Sequence, residues 1–160
     1  MMSLAARWIL PQLLGGLLVG ALSGGPAWAV PPVNTEAVPG VAIKGYDPVA
    51  YHTGGAPAEG MESRTVQWEG ATWWFASAEN QALFSAAPER YAPAFGGWCA
   101  YAVAKNRTAD IDPASWTIVD GTLYLNYSPS IKVKWEADIP GHIKAAEENW
   151  PKLKDASPVE

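Results

Sequence analysis

Hydrophobic and polar positions along the chain repeat as a block. Residues 66–91 read VQWEGATWWFASAENQALFSAAPERY: apolar and polar positions alternate on both sides of Glu69-Gly70, then give way to a helical spacing. Residues 116–142, WTIVDGTLYLNYSPSIKVKWEADIPGH, do the same around Asp120-Gly121. A shift of 51 residues places Gly70 on Gly121, Trp73 on Tyr124, Ser77 on Ser128, Phe84 on Trp135 and Ala86 on Ala137. An acidic-Gly pair between two β-rich runs predicts a tight hairpin. Ser77, and Ser128 ahead of Pro129, predict helix caps where the alternation stops.

The first predicted helix carries Ala82, Leu83 and Ala86 on one face and stops before Pro88. The second carries Ile131 and Trp135. A third starts near Pro140, presents Ile143, Ala146 and Trp150 at spacings of three and four, and is ended by Pro151. The fold class expected is α+β: two β-hairpin-plus-helix units packed as one small domain with a C-terminal helix.

The ends read differently. Met1 to Arg7 is weakly basic, Trp8 to Leu22 is apolar, and Ala27-Trp28-Ala29 is a small-x-small cleavage site. That order predicts a signal peptide cut after Ala29 and a periplasmic or secreted product with no transmembrane span in the mature chain. The expected organisation is a leader over 1–29, a flexible Pro-rich tether over 30–39, a domain over 40–151 and a tail over 152–160.

Composition narrows the partners. The formal net charge of −5 is acidic, and loss of Arg7 with the leader makes the mature chain more so. An acidic domain does not attract nucleic acid or anionic lipid. The chain has a single cysteine, so no internal disulfide forms and stability has to come from packing. Eight of nine Trp, with six Tyr and three Phe, stand at or after the end of the leader, and those beyond it supply an aromatic core.

From Lys44 the chain reads KGYDPVAYHTGG, and the first repeat continues with WEGATWWFAS and LFSAAPERYAP. An Asp-Pro-Val start, a Gly-turned hairpin ending in aromatics, and a helix followed by Pro-x-x-Tyr resemble the YHS-domain family. The second half, GGWCAYAVAKNRTADIDPASWTIVDGTLYLNYS, is similar to a branch of exported bacterial YHS proteins that includes selenoproteins. The resemblance covers about Val38 to Pro151. It implies a transition-metal role, copper foremost, as an accessory to a metal-handling or redox partner. Metal-associated members look like Asp-Pro-Val-Cys and Phe-Cys-Ser-x-x-Cys. Here Ala50, Ala76 and Asn80 stand at those cysteine positions, so the fold carries over and the ligand set does not.

Chemistry therefore gathers on Cys99, in GGWCAY, between the two repeats, where the loop over Pro93 to Gly97 is expected to run into a strand. One reading makes Cys99 the main ligand of a copper ion with His52 assisting, since thiolate and imidazole suit that metal. Tyr51, Trp98 and Tyr101 would wall its pocket. A second makes Cys99 a redox thiol with no resolving partner in the chain. In a third the aromatic surface binds a protein or small ligand and the cysteine is a buried apolar residue. No Ser-His-Asp pattern or Gly-rich phosphate loop is present, and no catalytic residue is nominated.

Overall fold

The computed structural model describes residues 30–155; the leader read over 1–29 and the last five residues lie outside them. Two antiparallel hairpins stand at the centre. The first pairs β1 (Met61–Trp68) with β2 (Ala71–Phe75), and the second pairs β3 (Asp112–Val119) with β4 (Thr122–Asn126). Both turns have two residues with positive φ, Glu69 at 50° and Gly70 at 74°, Asp120 at 50° and Gly121 at 81°. That is the type I′ geometry whose twist matches paired strands. Each hairpin also slips register at the same place, between Met61 and Thr65 and between Asp112 and Trp116.

A helix follows each hairpin: α2 (Ala78–Ala86), capped by Ser77 accepting from Asn80 N, and α5 (Pro129–Glu136), capped by Ser128 accepting from Ile131 N. The two-unit α+β architecture is thus present, with a long C-terminal helix. The buried face of α2 differs from expectation. Phe84 is buried and Leu83 half-buried, whereas Ala82 and Ala86 face solvent. Phe84 reaches Trp68, Trp73 and Phe75 with ring centroids 5.2–5.8 Å apart, and that aromatic cluster sets the helix rotation. A short α3 (Pro88–Tyr91) follows α2.

The repetition extends further back than the hairpins. Before the first lies a 3₁₀ turn, Ala42–Gly45, and α1 (Pro48–Thr53); before the second lies another, Ala94–Gly97, and α4 (Ala100–Ala104). Ile43 and Lys44 have φ of 40° and 61°, and their counterparts Phe95 and Gly96 have 56° and 60°. Here the shift is 52 residues, one more than in the hairpins, so a single register hides this part of the repeat.

Three further sequence expectations are corrected. The run after Gly97 is the helix α4 rather than a strand. A five-residue apolar run does not separate the two by periodicity, and Asn149 Nδ2 settles it by donating to the terminal carbonyls of Val103 and Ala104 at 3.1 and 3.3 Å. The last helix, α6 (Ile139–Lys154), passes through Pro151 and takes in residues assigned to the tail. Pro151 is exposed and sits in the last turn, so the one backbone bond it removes lies near the end of the helix.

The segment over 30–39 has no regular structure, yet it is docked rather than tethered. Val33 and Asn34 are buried, Asn34 N donates to Gly96 O at 2.9 Å and Asn34 Nδ2 to Gly97 O at 3.2 Å. One core cluster joins the two units around Trp73, Phe75, Phe84, Leu123 and Leu125. A second, around Phe95, Trp98, Tyr124 and Trp135, packs against α6 through Ile143, Ala146 and Trp150. Among the described residues no helix is long and apolar enough to cross a membrane.

Candidate functional site

Asp47 caps α1 and is fully buried. Its Oδ1 accepts from Val49 N at 2.8 Å and Ala50 N at 3.3 Å. Its Oδ2 accepts from Ala76 N at 2.9 Å, just beyond β2, and from Asn80 Nδ2 at 2.7 Å, in α2. A carboxylate here is matched by four donors, so its burial is compensated.

Cys99 stands in the second unit where Asp47 stands in the first, at the cap of α4. The Cys99 side chain makes no capping hydrogen bond there, and the residues in the places of Val49, Ala50 and Ala76 are Tyr101, Ala102 and Tyr127, whose backbone N–H groups act on the thiol. Burial pushes the thiol up from its ordinary pKa, while these three N–H groups and the Arg107 guanidinium pull it the other way. Sγ also lies 3.8 Å from Oδ1 of Asn126, which accepts from Tyr101 N at 3.2 Å. Asn126 is wholly buried at the end of β4, in the position of Phe75 in the first unit, and its Nδ2 has no hydrogen-bond partner.

Where Asn80 fills the first unit, Ile131 stands in the second, and the space in front of the cysteine is open. A cavity of about 380 Å³ is lined by Cys99, Tyr101, Ala102, Arg107, Thr108, Ala109, Tyr127 and Ile131. Most of that lining is apolar, and Arg107 carries its only full charge. Tyr127, one of these lining residues, is 57 % exposed. Cys99 is a wall of the cavity with 1 % of its surface open.

Of the residues nominated from sequence, Tyr101 shares this cavity with Cys99. Tyr51, Trp98 and His52 are not in its lining. Tyr51 is buried, donates to Pro113 O at 3.0 Å and stands edge-on to Trp116. Burial raises its phenol far above the usual range. Trp98 belongs to the second core cluster and donates through Nε1 to Pro31 O at 3.0 Å. His52 is half-buried against the Tyr91 ring, with centroids 5.5 Å apart, and its Nε2 has no partner. Burial lowers its pKa, the Tyr91 backbone raises it, and Arg90 lowers it again.

The expected thiolate-imidazole pair is therefore not assembled at the cavity. Among the described residues no group of three or more His, Cys, Asp or Glu side chains is placed to hold a metal ion. Cys99 is the only soft donor in the lining, so the cavity does not by itself fit a resident copper ion. Ala102, Asn126, Ile131 and the role of Asp47 as counterpart were missed from sequence. A 52-residue offset, which sets Asp47 on Cys99 and Ala50 on Ala102, was the signal for the first pair, and the 51-residue offset of the hairpins, which sets Phe75 on Asn126 and Asn80 on Ile131, was the signal for the rest. No family model, curated protein or solved structure matches the chain.

Proposed function

We propose that this is an exported, YHS-type binding module whose ligand site is the cavity in front of Cys99, and that it takes a small, mainly apolar molecule bearing one negative group. The observation that carries the reading is the asymmetry between the units: Asp47 and Asn80 close the first, whereas Cys99 and Ile131 leave the second open. The positions that the YHS resemblance singles out, Ala50, Ala76 and Asn80, converge on Asp47, and their counterparts Ala102, Tyr127 and Ile131 all line the cavity. Apolar walls favour the body of the ligand and Arg107 its charge. The amino-terminal leader pattern supports export. Copper at Cys99 calls on a second soft donor from a partner or a small molecule, which makes a metal role one of handling rather than of residence.

The test is a nitrogen-15 NMR titration with phenylacetate, and with phenethylamine as the cationic control. Shifts that saturate at Tyr101, Ala102, Tyr127 and Ile131 with the acid, and are weaker with the amine, are expected. Ile131→Trp, which fills the cavity from α5, removes them. Equal responses to acid and amine, or shifts unchanged in Ile131→Trp, overturn the reading.

A further inference from the structure

We infer that Cys99 is an oxidation site whose sulfinate is held as the Asp47 carboxylate is held in the other unit. The inference does not depend on the ligand reading. A cysteine sulfinate places two oxygens and one negative charge on the atom bonded to Cβ, which is the shape and charge of an aspartate side chain. Three N–H groups at Val49, Ala50 and Ala76 serve the Asp47 oxygens. Their counterparts Tyr101, Ala102 and Tyr127 line the same cavity as Cys99, and the Tyr101 N–H donates to Asn126 Oδ1, which lies 3.8 Å from Sγ.

The fourth donor of the first unit, Asn80, has no counterpart at Ile131. Asn126 approaches from the strand side instead. Its carboxamide lies against Cys99, wholly buried, with Oδ1 3.8 Å from Sγ and Nδ2 lacking any acceptor. Phe75 at the matching position shows that the strand end packs with an apolar residue, so a buried amide with an unpaired donor is a cost in need of compensation. The carboxamide presents Oδ1, its acceptor end, to the thiol; turned over, it presents Nδ2 to an oxygen on Sγ and releases the Tyr101 N–H to the same group, and Arg107 adds a cation on the cavity side.

With hydrogen peroxide as oxidant the step balances. Sγ attacks one peroxide oxygen, the O–O bond breaks, an S–O bond forms and the sulfur gives up two electrons. The departing hydroxide takes the thiol proton and leaves as water. A second peroxide converts the sulfenic acid to the sulfinate in the same way. No second cysteine exists in the chain to divert the sulfenic acid into an internal disulfide. Burial pushes the thiol's pKa up, so the reaction is slow.

The experiment treats the folded protein with hydrogen peroxide and follows intact mass, peptide mapping and thermal melting. Met61, 46 % exposed, is the internal control. Cys99 is expected to gain one and then two oxygens, and the oxidised protein to melt at or above the reduced one. Cys99→Asp is expected to melt at or above Cys99→Ser, and Asn126→Leu to lower the melting temperature of the oxidised form more than that of the reduced form. A Cys99 left untouched once Met61 is oxidised, a sulfinate form that melts below the thiol form, or a Cys99→Asp that melts below Cys99→Ser each overturns the inference.

Discussion

Asn80 Nδ2 donates to Asp47 Oδ2 at 2.7 Å across 33 residues of chain, and no such link joins their counterparts Ile131 and Cys99. The bond ties α2 to the cap of α1, so removing either end reaches well beyond a surface interaction. Asp47→Ala leaves the N–H groups of Val49, Ala50 and Ala76 without their acceptor and is expected to cost about 3–5 kcal/mol. Asn80→Leu removes one donor to a buried carboxylate and is expected to cost roughly 1.5–3 kcal/mol. Urea unfolding of both variants checks the order.

The environment of Cys99 predicts a thiol that reacts late. Its native pKa is raised by burial, so the alkylation rate by iodoacetamide should rise with pH to a midpoint above the ordinary thiol value of about 8.5. Arg107→Ala removes a cation that favours the thiolate and should move the midpoint further up. A midpoint below the ordinary value, or one that Arg107→Ala leaves in place, contradicts the assignment.

His52 gives stability an acid limb. Burial holds its native pKa below the value of about 6.5 expected in the unfolded chain, so on acidification the unfolded state takes up the proton first. Its share of stability is therefore present in full above that unfolded value and is lost as pH falls towards the native pKa. His52→Gln should flatten the decline between neutral and mildly acidic pH in a series of thermal melts.

Gly96 holds the amino-terminal segment in place. Its φ is +60°, and a Cβ there would collide with the backbone of Pro32. Gly96→Ala combines backbone strain with that clash and is expected to cost about 2 kcal/mol or more. Hydrogen exchange should locate the damage: the Asn34 amide, which donates to Gly96 O, loses protection while the β1–β2 hairpin keeps its own.

The amino-acid pattern by itself determined the two hairpins, their turns and the helix caps, because each rests on residues close in sequence. Acidic-Gly pairs adopt the paired positive φ of a type I′ turn, and Ser77 and Ser128 cap within three residues. The pattern also marked Cys99 as the place where soft chemistry would have to occur. The rotation of α2 was not legible, since three aromatic rings from two strands choose Phe84 over the alanine face. Nor was the separation of His52 from Cys99. Only the tertiary structure set Asp47 and Cys99 in equivalent surroundings, because donors from a helix start and a strand end meet there across a one-residue change of register. The same folding closes one space with Asn80 and opens the other at Ile131. A long-range difference of this kind arises only when two elements far apart in sequence pack together.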